Sequence, residues 1–324
     1  MPMTTLEGID GLRKLPPGAV VSIGNFDGIH LGHESILATM RALRGRSNAP
    51  ALVVVTFEPH PLTVLRPEAV PPRLTPPALK NALLAERGVD VLVTLPPAPE
   101  VLDLSAERFW EILRDDVRPS HLVEGGTFNF GKGRRGSIQL LQQWAAGTGV
   151  AVNVIGPVST ALLDFTVVPV SSSLIRWLLF NGRVRDAAIC TGRPYALEGP
   201  VVKGHQRGRA LGMPTANLDC RDQLVPADGV YAGRCAVDGR AYAAAVSIGT
   251  MPTFGENQRQ VEAYLLDFTG DLYGQVLRVE LLDWVREQRK FAGVEALKAR
   301  MAKDLEIVKG RKSLRAEQPI AVAG

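Results

Sequence analysis

The pattern of apolar segments changes near Tyr195, and this change constrains the fold more than any other feature of the sequence. Before it, short runs rich in β-branched residues alternate with longer segments whose apolar residues recur at helical spacing. The runs are Val20–Gly24, Ala51–Phe57, Val89–Leu95, His121–Gly125 and Val150–Gly156, and the helical segments are Leu31–Leu43, Thr75–Glu86, Ser105–Arg114, Ile138–Ala146 and Ser172–Asn181. Apolar strands separated by helices indicate a parallel sheet covered on both faces.

After Tyr195 the apolar runs follow one another without long helices. They are Val230–Val237, Tyr242–Ile248, Val261–Phe268 and Val276–Leu282. The dipeptides Asp238-Gly239 and Gly270-Asp271 stand where hairpin turns are expected. Closely spaced antiparallel strands in a segment of this size predict a small barrel. The segment Ala292–Val308 then predicts an amphipathic helix, whose apolar stripe is Val294, Leu297, Met301, Leu305 and Val308.

The chain has 324 residues, which favours two domains over one. We predict an α/β domain with a parallel Rossmann-like sheet over residues 1–187. A small antiparallel β-barrel with a C-terminal helix follows over residues 188–310, and residues 311–324 are predicted to form a disordered tail. A monomer and an oligomer are both compatible with the sequence.

Charge and cysteine content narrow the class of protein. The net charge is +4, from 37 Lys and Arg against 33 Asp and Glu, which is too small an excess to indicate nucleic-acid binding by itself. Cys190, Cys220 and Cys235 lack C-x-x-C spacing and are odd in number, so they predict a reducing compartment. The N-terminus lacks a signal-peptide pattern, and no apolar run approaches the ~18 residues that span a bilayer. A cytoplasmic protein is expected.

The segment Ser22–His33, SIGNFDGIHLGH, directly follows the first predicted strand. Its glycines allow a ligand to approach the backbone closely, and a helix that begins here points free N–H groups at an anion. His30 and His33 are three residues apart and share a face of the first helical turn. Two imidazoles at a helix N-terminus can stabilise charge on a leaving pyrophosphate. Metal binding is the competing use, but no further His or Cys with ligand spacing lies nearby.

Two further segments suggest phosphate contacts. Val170–Arg176, VSSSLIR, places serines before an apolar helical turn, where they either cap the helix or join Arg176 in binding phosphate. Gly199–Asn217, GPVVKGHQRGRALGMPTAN, carries basic residues on a glycine-rich loop, which is either a lid over phosphates or a solvated surface loop. Both interpretations of each segment stay open on these residues alone.

Thr215, Asn217 and Glu262 are candidates for chemistry in the second domain. Thr215 and Asn217 are two residues apart, so in an extended strand both side chains point to the same side, and their oxygens suit Mg²⁺. Ordinary turn chemistry after a proline is the alternative. Glu262 lies on the run VEAYLLDF, where a carboxylate is costly unless it is paired, exposed or used. It is either an exposed barrel residue or a general base.

These motifs together resemble a known family. GNFDGIHLGH with a downstream SSSLIR is similar to the HxGH and ISSTxIR signatures of the nucleotidyltransferase superfamily. TFEPHP, FNFGKGRRG, GRPYALEGPVVKGH, LGMPTANL and VREQRKF resemble segments of the bacterial bifunctional riboflavin kinase/FAD synthetases, in the same order along the chain. The resemblance extends from about Val20 to Lys303.

The resemblance implies two ATP-dependent reactions. The second domain would phosphorylate riboflavin to FMN, and the first would transfer AMP from ATP to FMN, giving FAD and pyrophosphate. It implies Mg²⁺ and ATP as requirements, small-molecule substrates as partners, and neither nucleic acid nor membrane. Its implied catalytic residues are His30, His33 and Glu262, and its implied metal ligands are Thr215 and Asn217. ATP would be bound by Gly24, Asn25, Phe26, Asp27, Gly28, Ser172, Arg176, Lys203, Gly204 and Arg209, and the flavin by His60, Phe128 and Arg286.

One departure from the family pattern leaves alternatives open. Thr127 stands before Phe128, where many members carry Asn or Asp, so a riboflavin kinase with a degraded first domain is one alternative. A nucleic-acid-binding protein is another, suggested by the basic glycine loops, although aromatic residues are only 6% of the chain and lie mostly on core-like runs. A flavin-carrying electron-transfer protein is the third.

Overall fold

The structure is a computed structural model that describes residues 2–204, 212–251 and 256–311. Two compact units are present in it. The first comprises residues up to 71 together with 77–158, and the second comprises 72–76 with the described residues from 159 onward. By its contacts the segment 159–187 therefore belongs with the barrel, whereas the sequence-based boundary lies at 187/188. That boundary, as the limit between two functional domains, stays a prediction.

The first unit is built on a six-stranded sheet in the order β1-β4-β3-β2-β5-β8, in which every neighbouring pair is parallel. Its strands, with a small β6–β7 ribbon, are β1 (Thr4–Glu7), β2 (Val20–Ile23), β3 (Leu52–Phe57), β4 (Val91–Leu95), β5 (His121–Gly125), β6 (Asn129–Phe130), β7 (Gly136–Ser137) and β8 (Ala151–Ile155). Apolar clusters cover both faces of the sheet. The predicted α/β fold is confirmed.

Among the described residues of this unit, four helices correspond to predicted segments, whereas three others, Gly8–Arg13, Leu62–Leu65 and Pro99–Leu102, were not predicted. The helices are α1 (Gly8–Arg13), α2 (Leu31–Ser47), α3 (Leu62–Leu65), α4 (Pro77–Glu86), α5 (Pro99–Leu102), α6 (Ala106–Glu111) and α7 (Ile138–Ala145), with 3₁₀ turns at Pro67–Ala69 and Lys132–Arg134. The predicted helix Ser105–Arg114 is α6 followed by a π-helical segment, Ile112–Val117. Ser105 caps α6 by accepting a hydrogen bond from the backbone N–H of Arg108.

The strand order reverses between β2 and β5, which is where ligands bind in open α/β sheets. The β2–β5 register pairs only Val20 with His121 and Val21 with Leu122, so the two strands separate toward their carboxyl ends. There the backbone N–H of Ile23 donates to the carboxyl group of Glu124, at 2.8 Å. Glu124 is 2% exposed, and burial raises its pKa well above the ordinary value of a glutamic acid.

Glu124→Gln should therefore change how stability depends on pH. Because the folded-state pKa of Glu124 is raised, the wild type loses stability as pH rises from the unfolded-state pKa of about 4.3 toward the folded-state pKa. Glutamine keeps an acceptor for the N–H of Ile23 and does not titrate. The stability advantage of the variant should grow by up to about 1.4 kcal/mol per pH unit in that window. Urea unfolding of both proteins at pH 5.5 and pH 7.5 measures it, and a constant difference would contradict the prediction.

The second unit contains a closed antiparallel barrel, as the sequence predicts, and a hairpin and two helices precede it. The strand order, which was not predicted, is β11-β12-β15-β14-β13-β16. The elements of this unit are β9 (Ser159–Ala161), β10 (Val167–Pro169), α8 (Ser172–Phe180), α9 (Val184–Thr191), β11 (Tyr195–Val202), β12 (Ala216–Leu218), β13 (Gly229–Val237), β14 (Arg240–Met251), β15 (Glu256–Leu265), β16 (Val276–Glu287) and α10 (Val294–Arg311). Residues of α8 and α9 pack into the same apolar cluster as the barrel interior.

One of the two predicted hairpin turns is correct. Asp238 and Gly239, with φ of 50° and 77°, join the paired strands β13 and β14, as a type I′ turn requires. The expectation of a hairpin at Gly270-Asp271 is wrong, because β15 pairs with β12 and β14 and does not pair with β16. The dipeptide lies instead in the longer connection between β15 and β16.

The predicted C-terminal helix is α10, and it covers part of the outside of the barrel. Val308 and Leu305 pack against a small apolar cluster that includes Ala232 and Leu266. Val294, at the start of the predicted stripe, is 41% exposed. The helix continues to Arg311, and residues 312–324 of the predicted tail lie outside the described residues.

The cysteines of the second unit are free and buried. Burial raises the pKa of Cys190 and of Cys220 to about 12, and that of Cys235 to about 11. Such thiols are poor nucleophiles and poor metal ligands at neutral pH, so they have a packing role. Separately, within the described ranges no helix combines the length and apolar character needed to cross a membrane.

Candidate active sites

The loop between β2 and α2 is shaped by an unusual run of backbone conformations. Phe26, Gly28 and Ile29 have positive φ values of 47°, 87° and 37°. Conformations of this kind are strained for side chains such as Phe and Ile, and they concentrate at binding sites. The run brings the chain from the sheet edge into α2, and His30 becomes the N-cap of that helix.

The conformation of the loop fixes the tautomer of His30. Its Nδ1 accepts hydrogen bonds from the backbone N–H groups of Gly32 and His33, at 3.1 and 3.4 Å. An Nδ1 atom that accepts carries a lone pair, so in the neutral ring the proton is on Nε2. The Nε2–H group is therefore a donor at the mouth of α2, where the helix dipole already favours negative charge. One imidazole ring thus caps the helix through Nδ1 and offers a donor through Nε2.

The two histidines are brought together by their spacing in the first turn of α2. Their rings stack with centroids 3.8 Å apart and an interplanar angle of 16°. The ring of Phe26 lies 4.9 Å from that of His33 and is 1% exposed. Phe26 thus packs against His33 and supports its ring from the buried side. Asp27 and Gly28 complete the turn before His30.

His60 joins the same loop through Asn25. The ring atom Nε2 of His60 lies 3.2 Å from the side-chain amide of Asn25, while its Nδ1 accepts from the backbone N–H of Leu62 at 3.1 Å. The Asn25 atom at this distance is the amide nitrogen Nδ2, and the direction of this hydrogen bond depends on the tautomer of His60. Thr56 donates to the backbone carbonyl of Asn25 at 3.1 Å. Asn25 is thus held in place through both its side chain and its backbone carbonyl.

Phe128 lies on the turn that follows β5. Its ring stacks on Phe130 with centroids 5.6 Å apart, and it packs at the edge of an apolar cluster of the first unit. Thr127 is exposed, and its backbone carbonyl accepts from the side chain of Asn129 at 2.7 Å. The departure at Thr127 therefore concerns a solvent-facing turn residue.

Ser172 and Arg176 lie in the second unit, at the start of α8. Ser171 is the N-cap, and its hydroxyl accepts from the backbone N–H of Leu174 at 3.1 Å, so the capping interpretation holds for that serine. Arg176 donates through Nε to the carbonyl of Pro72 at 2.8 Å. Phosphate binding by Ser172 and Arg176 stays a prediction.

The candidate residues of the second domain meet on the outer face of the barrel. Glu262 on β15 lies opposite Asn217 on β12 and opposite Ser247 on β14. Directly opposed residues of antiparallel strands share a face and have Cβ atoms about 4.5–5.5 Å apart. Thr215 donates from its hydroxyl to Glu262 at 3.3 Å. The structure therefore brings the predicted base, Glu262, next to the predicted metal ligands Thr215 and Asn217. We call the three residues that face one another across the strands, Asn217, Glu262 and Ser247, the polar row.

Gly204 also belongs to this row. A Cβ atom at this position would overlap the side-chain amide of Asn217, so the backbone there passes directly over the predicted ligand. Lys203 precedes it and is exposed. Arg209, also predicted to bind ATP, lies outside the described residues.

A cavity of about 320 Å³ opens beside Thr215. Its walls are Pro214, Thr215, the connection between β15 and β16 (residues 268–273), and four residues of the apolar barrel core: Val201, Ala216, Ala263 and Leu265. A hairpin was predicted in this segment, and its contribution to a cavity was not predicted. A cavity of this size is in the range of small-molecule sites.

Arg286, which was predicted to contact the flavin, forms an ion pair with a buried carboxylate. Its Nε donates to Asp304 on α10 at 2.9 Å, and the two side chains are only 12% and 4% exposed. Its guanidinium carbon lies 5.4 Å from the ring centre of Phe291. Asp304 was not among the predicted site residues, although a charge inside the apolar stripe of a helix, between Met301 and Leu305, was an available signal.

The donors at the polar row fit magnesium by their chemistry. Thr215 and Asn217 offer neutral oxygens, and Mg²⁺ typically takes few protein ligands and keeps water and phosphate oxygens. Among residues 2–204, 212–251 and 256–311 no cluster of three His, Cys, Asp or Glu side chains could hold a metal. Thr215 and Asn217 could hold Mg²⁺ together with oxygens from water or phosphate.

Comparisons with known proteins match both halves of the chain. A family model for FAD synthetase matches residues 12–166, and one for riboflavin kinase matches residues 191–311. A bifunctional riboflavin kinase/FMN adenylyltransferase of Escherichia coli (strain K12) is 35% identical over 93% of this chain and 96% of its own length. One from Bacillus subtilis (strain 168) is 33% identical over 88% of this chain and 90% of its own.

A solved structure is also similar along nearly the whole chain. It is a crystal structure from Streptococcus pneumoniae, described as that of a macrolide-efflux protein. It is 28% identical, covers 95% of this chain and 99% of its own, and superposes with a TM-score of 0.83. The combination of a parallel-sheet unit and a barrel unit is thus shared with an experimental structure.

Proposed function

The chain belongs to the family of bifunctional riboflavin kinase/FMN adenylyltransferases, and from this premise we propose how its residues divide the two reactions. It is an ATP-dependent transferase that phosphorylates riboflavin to FMN and adenylylates FMN to FAD. Residues 1–187 form the adenylyltransferase domain and residues 188–310 the kinase domain. This division is supported by the interval between the two family matches, which end at 166 and begin at 191.

The kinase assignment rests above all on the polar row of Asn217, Glu262 and Ser247. Glu262 accepts the proton of the ribityl 5′-hydroxyl. The oxygen of that hydroxyl attacks the γ-phosphorus of ATP, and the bond between this phosphorus and ADP breaks. Thr215 and Asn217 hold Mg²⁺, which when bound neutralises charge on the phosphates. Lys203, Gly204 and Arg209 cover the phosphates, a role supported for Gly204 by its contact with Asn217.

The adenylylation assignment rests on the stacked histidines at the mouth of α2. An oxygen of the FMN phosphate attacks the α-phosphorus of ATP, and pyrophosphate leaves. No covalent enzyme intermediate is needed, so the protein contributes positioning and charge stabilisation. His30 and His33 stabilise the charge, the loop from Gly24 to Gly28 shapes the nucleotide pocket, and Ser172 and Arg176 bind the triphosphate. His60 and Phe128 form the flavin side.

We assign the enzyme to the cytoplasm, with riboflavin, FMN and ATP as its partners. Buried, free thiols suit a reducing compartment, and the bacterial relatives are enzymes of cofactor synthesis. No role for nucleic acid or membrane is part of the proposal.

The proposal is tested by incubating the purified full-length protein with riboflavin, ATP and Mg²⁺ and separating the products by chromatography. We expect FMN to form first and FAD to follow, with FAD also formed from supplied FMN. FMN without FAD would show that the first domain is degraded. Bound flavin without any turnover would favour an electron-transfer protein and contradict both activities.

A further inference from the structure

The segment that follows β16 is tied to the row of residues around Glu262. Gln288 donates from its side-chain amide to the hydroxyl of Ser247 at 2.7 Å, and to the carbonyl of Ile248 at 3.4 Å. Ser247 is the direct cross-strand neighbour of Glu262. Because the Ser247 hydroxyl accepts from Gln288, the direction of its own proton is restricted. Gln288 therefore acts on the immediate surroundings of the proposed base.

Arg286, two residues before Gln288 and near the end of β16, connects this part of the chain to the C-terminal helix α10. Asp304 accepts from Arg286 at one carboxylate oxygen and from Arg300 at the other, each at 2.9 Å. Arg286 also donates to the backbone carbonyl of Glu287 at 2.9 Å. Phe291 has two arginine groups over its ring, since the guanidinium carbons of Arg286 and Arg289 lie 5.4 and 5.3 Å from its centre.

These contacts have the character of a fixed attachment. A carboxylate that is 4% exposed and pairs with two guanidinium groups is well satisfied, and the loss of either side leaves a buried charge uncompensated. Arg286 has its Nε committed to Asp304 and its Nη1 to its own chain. Its geometry suits a residue that fixes the segment, and direct flavin contact is not needed to explain its burial.

We propose that Asp304 is a positioning residue of the kinase site: it fixes Arg286, so that Gln288 reaches Ser247 and holds the neighbourhood of Glu262 in place. The proposal rests on the assignment of Glu262 as the base. Through these contacts α10, which lies outside the barrel, contributes indirectly to the geometry of the reaction.

The test measures FMN formation by the full-length protein carrying Asp304→Asn or Gln288→Ala. We expect kcat for FMN formation to fall about 10- to 100-fold in both, the size of loss that misplacement of a catalytic group produces. KM for ATP should change less than kcat. FAD formation from supplied FMN should be unchanged, because it uses residues of the other domain. Ser247→Ala should resemble Gln288→Ala, and Ser247→Thr, which keeps the hydroxyl, should recover most of the activity.

Arg311→Ala provides a matched control. Arg311 pairs with Asp283 at 3.2 Å and so joins the same helix to β16 at a different point. Its kinase activity should stay near that of the wild type. An equal loss in Arg311→Ala would reduce Asp304 to general helix docking and overturn the proposal.

The remaining outcomes distinguish a failure of the positioning role from a failure of the assignment of Glu262 as the base. If Asp304→Asn does not fold, Gln288→Ala decides, since Gln288 is half-exposed and carries no charge. If Glu262→Gln still makes FMN at the wild-type rate, the assignment of the base fails. If Glu262→Gln is inactive while Gln288→Ala keeps wild-type kcat and KM, the positioning role is wrong.

Discussion

Glu262→Gln is expected to lower the rate of FMN formation by about 10²- to 10⁴-fold, the usual contribution of a general base. Glutamine has nearly the same shape and keeps an oxygen that can accept from the hydroxyl of Thr215. It cannot accept the proton of the attacking ribityl hydroxyl. The loss should therefore appear in kcat, with a smaller change in KM for riboflavin. FAD formation from supplied FMN should stay at the wild-type rate.

Glu280→Gln is the matched control for this experiment. Glu280 also lies on a barrel strand, where it pairs with Arg234 at 2.6 Å, but it is not part of the polar row. The same chemical change at Glu280 should leave FMN formation within a few-fold of the wild type. Equal losses in the two variants would mean that any removal of a barrel carboxylate damages the fold, and Glu262 would lose its special role.

The parallel sheet was predictable because its strands and helices each carry a complete local signal. The runs Val20–Ile23 and Leu52–Phe57 are largely apolar and β-branched, as is typical of strands buried on both faces. His30 was predictable for the same reason, because strand, glycines and helix start all lie within one short segment. Its tautomer was not, since that depends on which backbone N–H groups reach Nδ1 in three dimensions.

The barrel was predictable in kind but only partly in its strand pairing. Asp238-Gly239 and Gly270-Asp271 look alike in sequence, yet only the first joins neighbouring strands. Turn chemistry reports a local bend, while the choice of a strand's partner is made by the whole barrel. The meeting of Asn217, Glu262 and Ser247 is likewise a matter of register between distant segments, so the sequence could nominate two of the three and had no means to find Ser247.

His30→Ala is expected to lower FAD formation from FMN by about 10²- to 10³-fold, the range for loss of one preorganised donor to a developing charge. Riboflavin phosphorylation should be unaffected, because its residues lie in the barrel. The substitution also removes the N-cap of α2, which costs about 1 kcal/mol of stability. A fall in activity alone would therefore not distinguish catalysis from helix capping. The comparison needs a variant that keeps the cap.

His30→Asn separates the two roles of the ring. Asparagine is a strong N-cap residue, so its side-chain oxygen can replace Nδ1 as the acceptor for the N–H groups of Gly32 and His33. It has no donor that reaches where Nε2–H does. We expect stability near that of the wild type with FAD formation still as low as in His30→Ala. His121→Ala, at the other end of β5, should keep full activity in the same assay. If His30→Asn restored FAD synthesis, the histidine would be needed only to begin the helix, and charge stabilisation at the α-phosphorus would have to come from elsewhere.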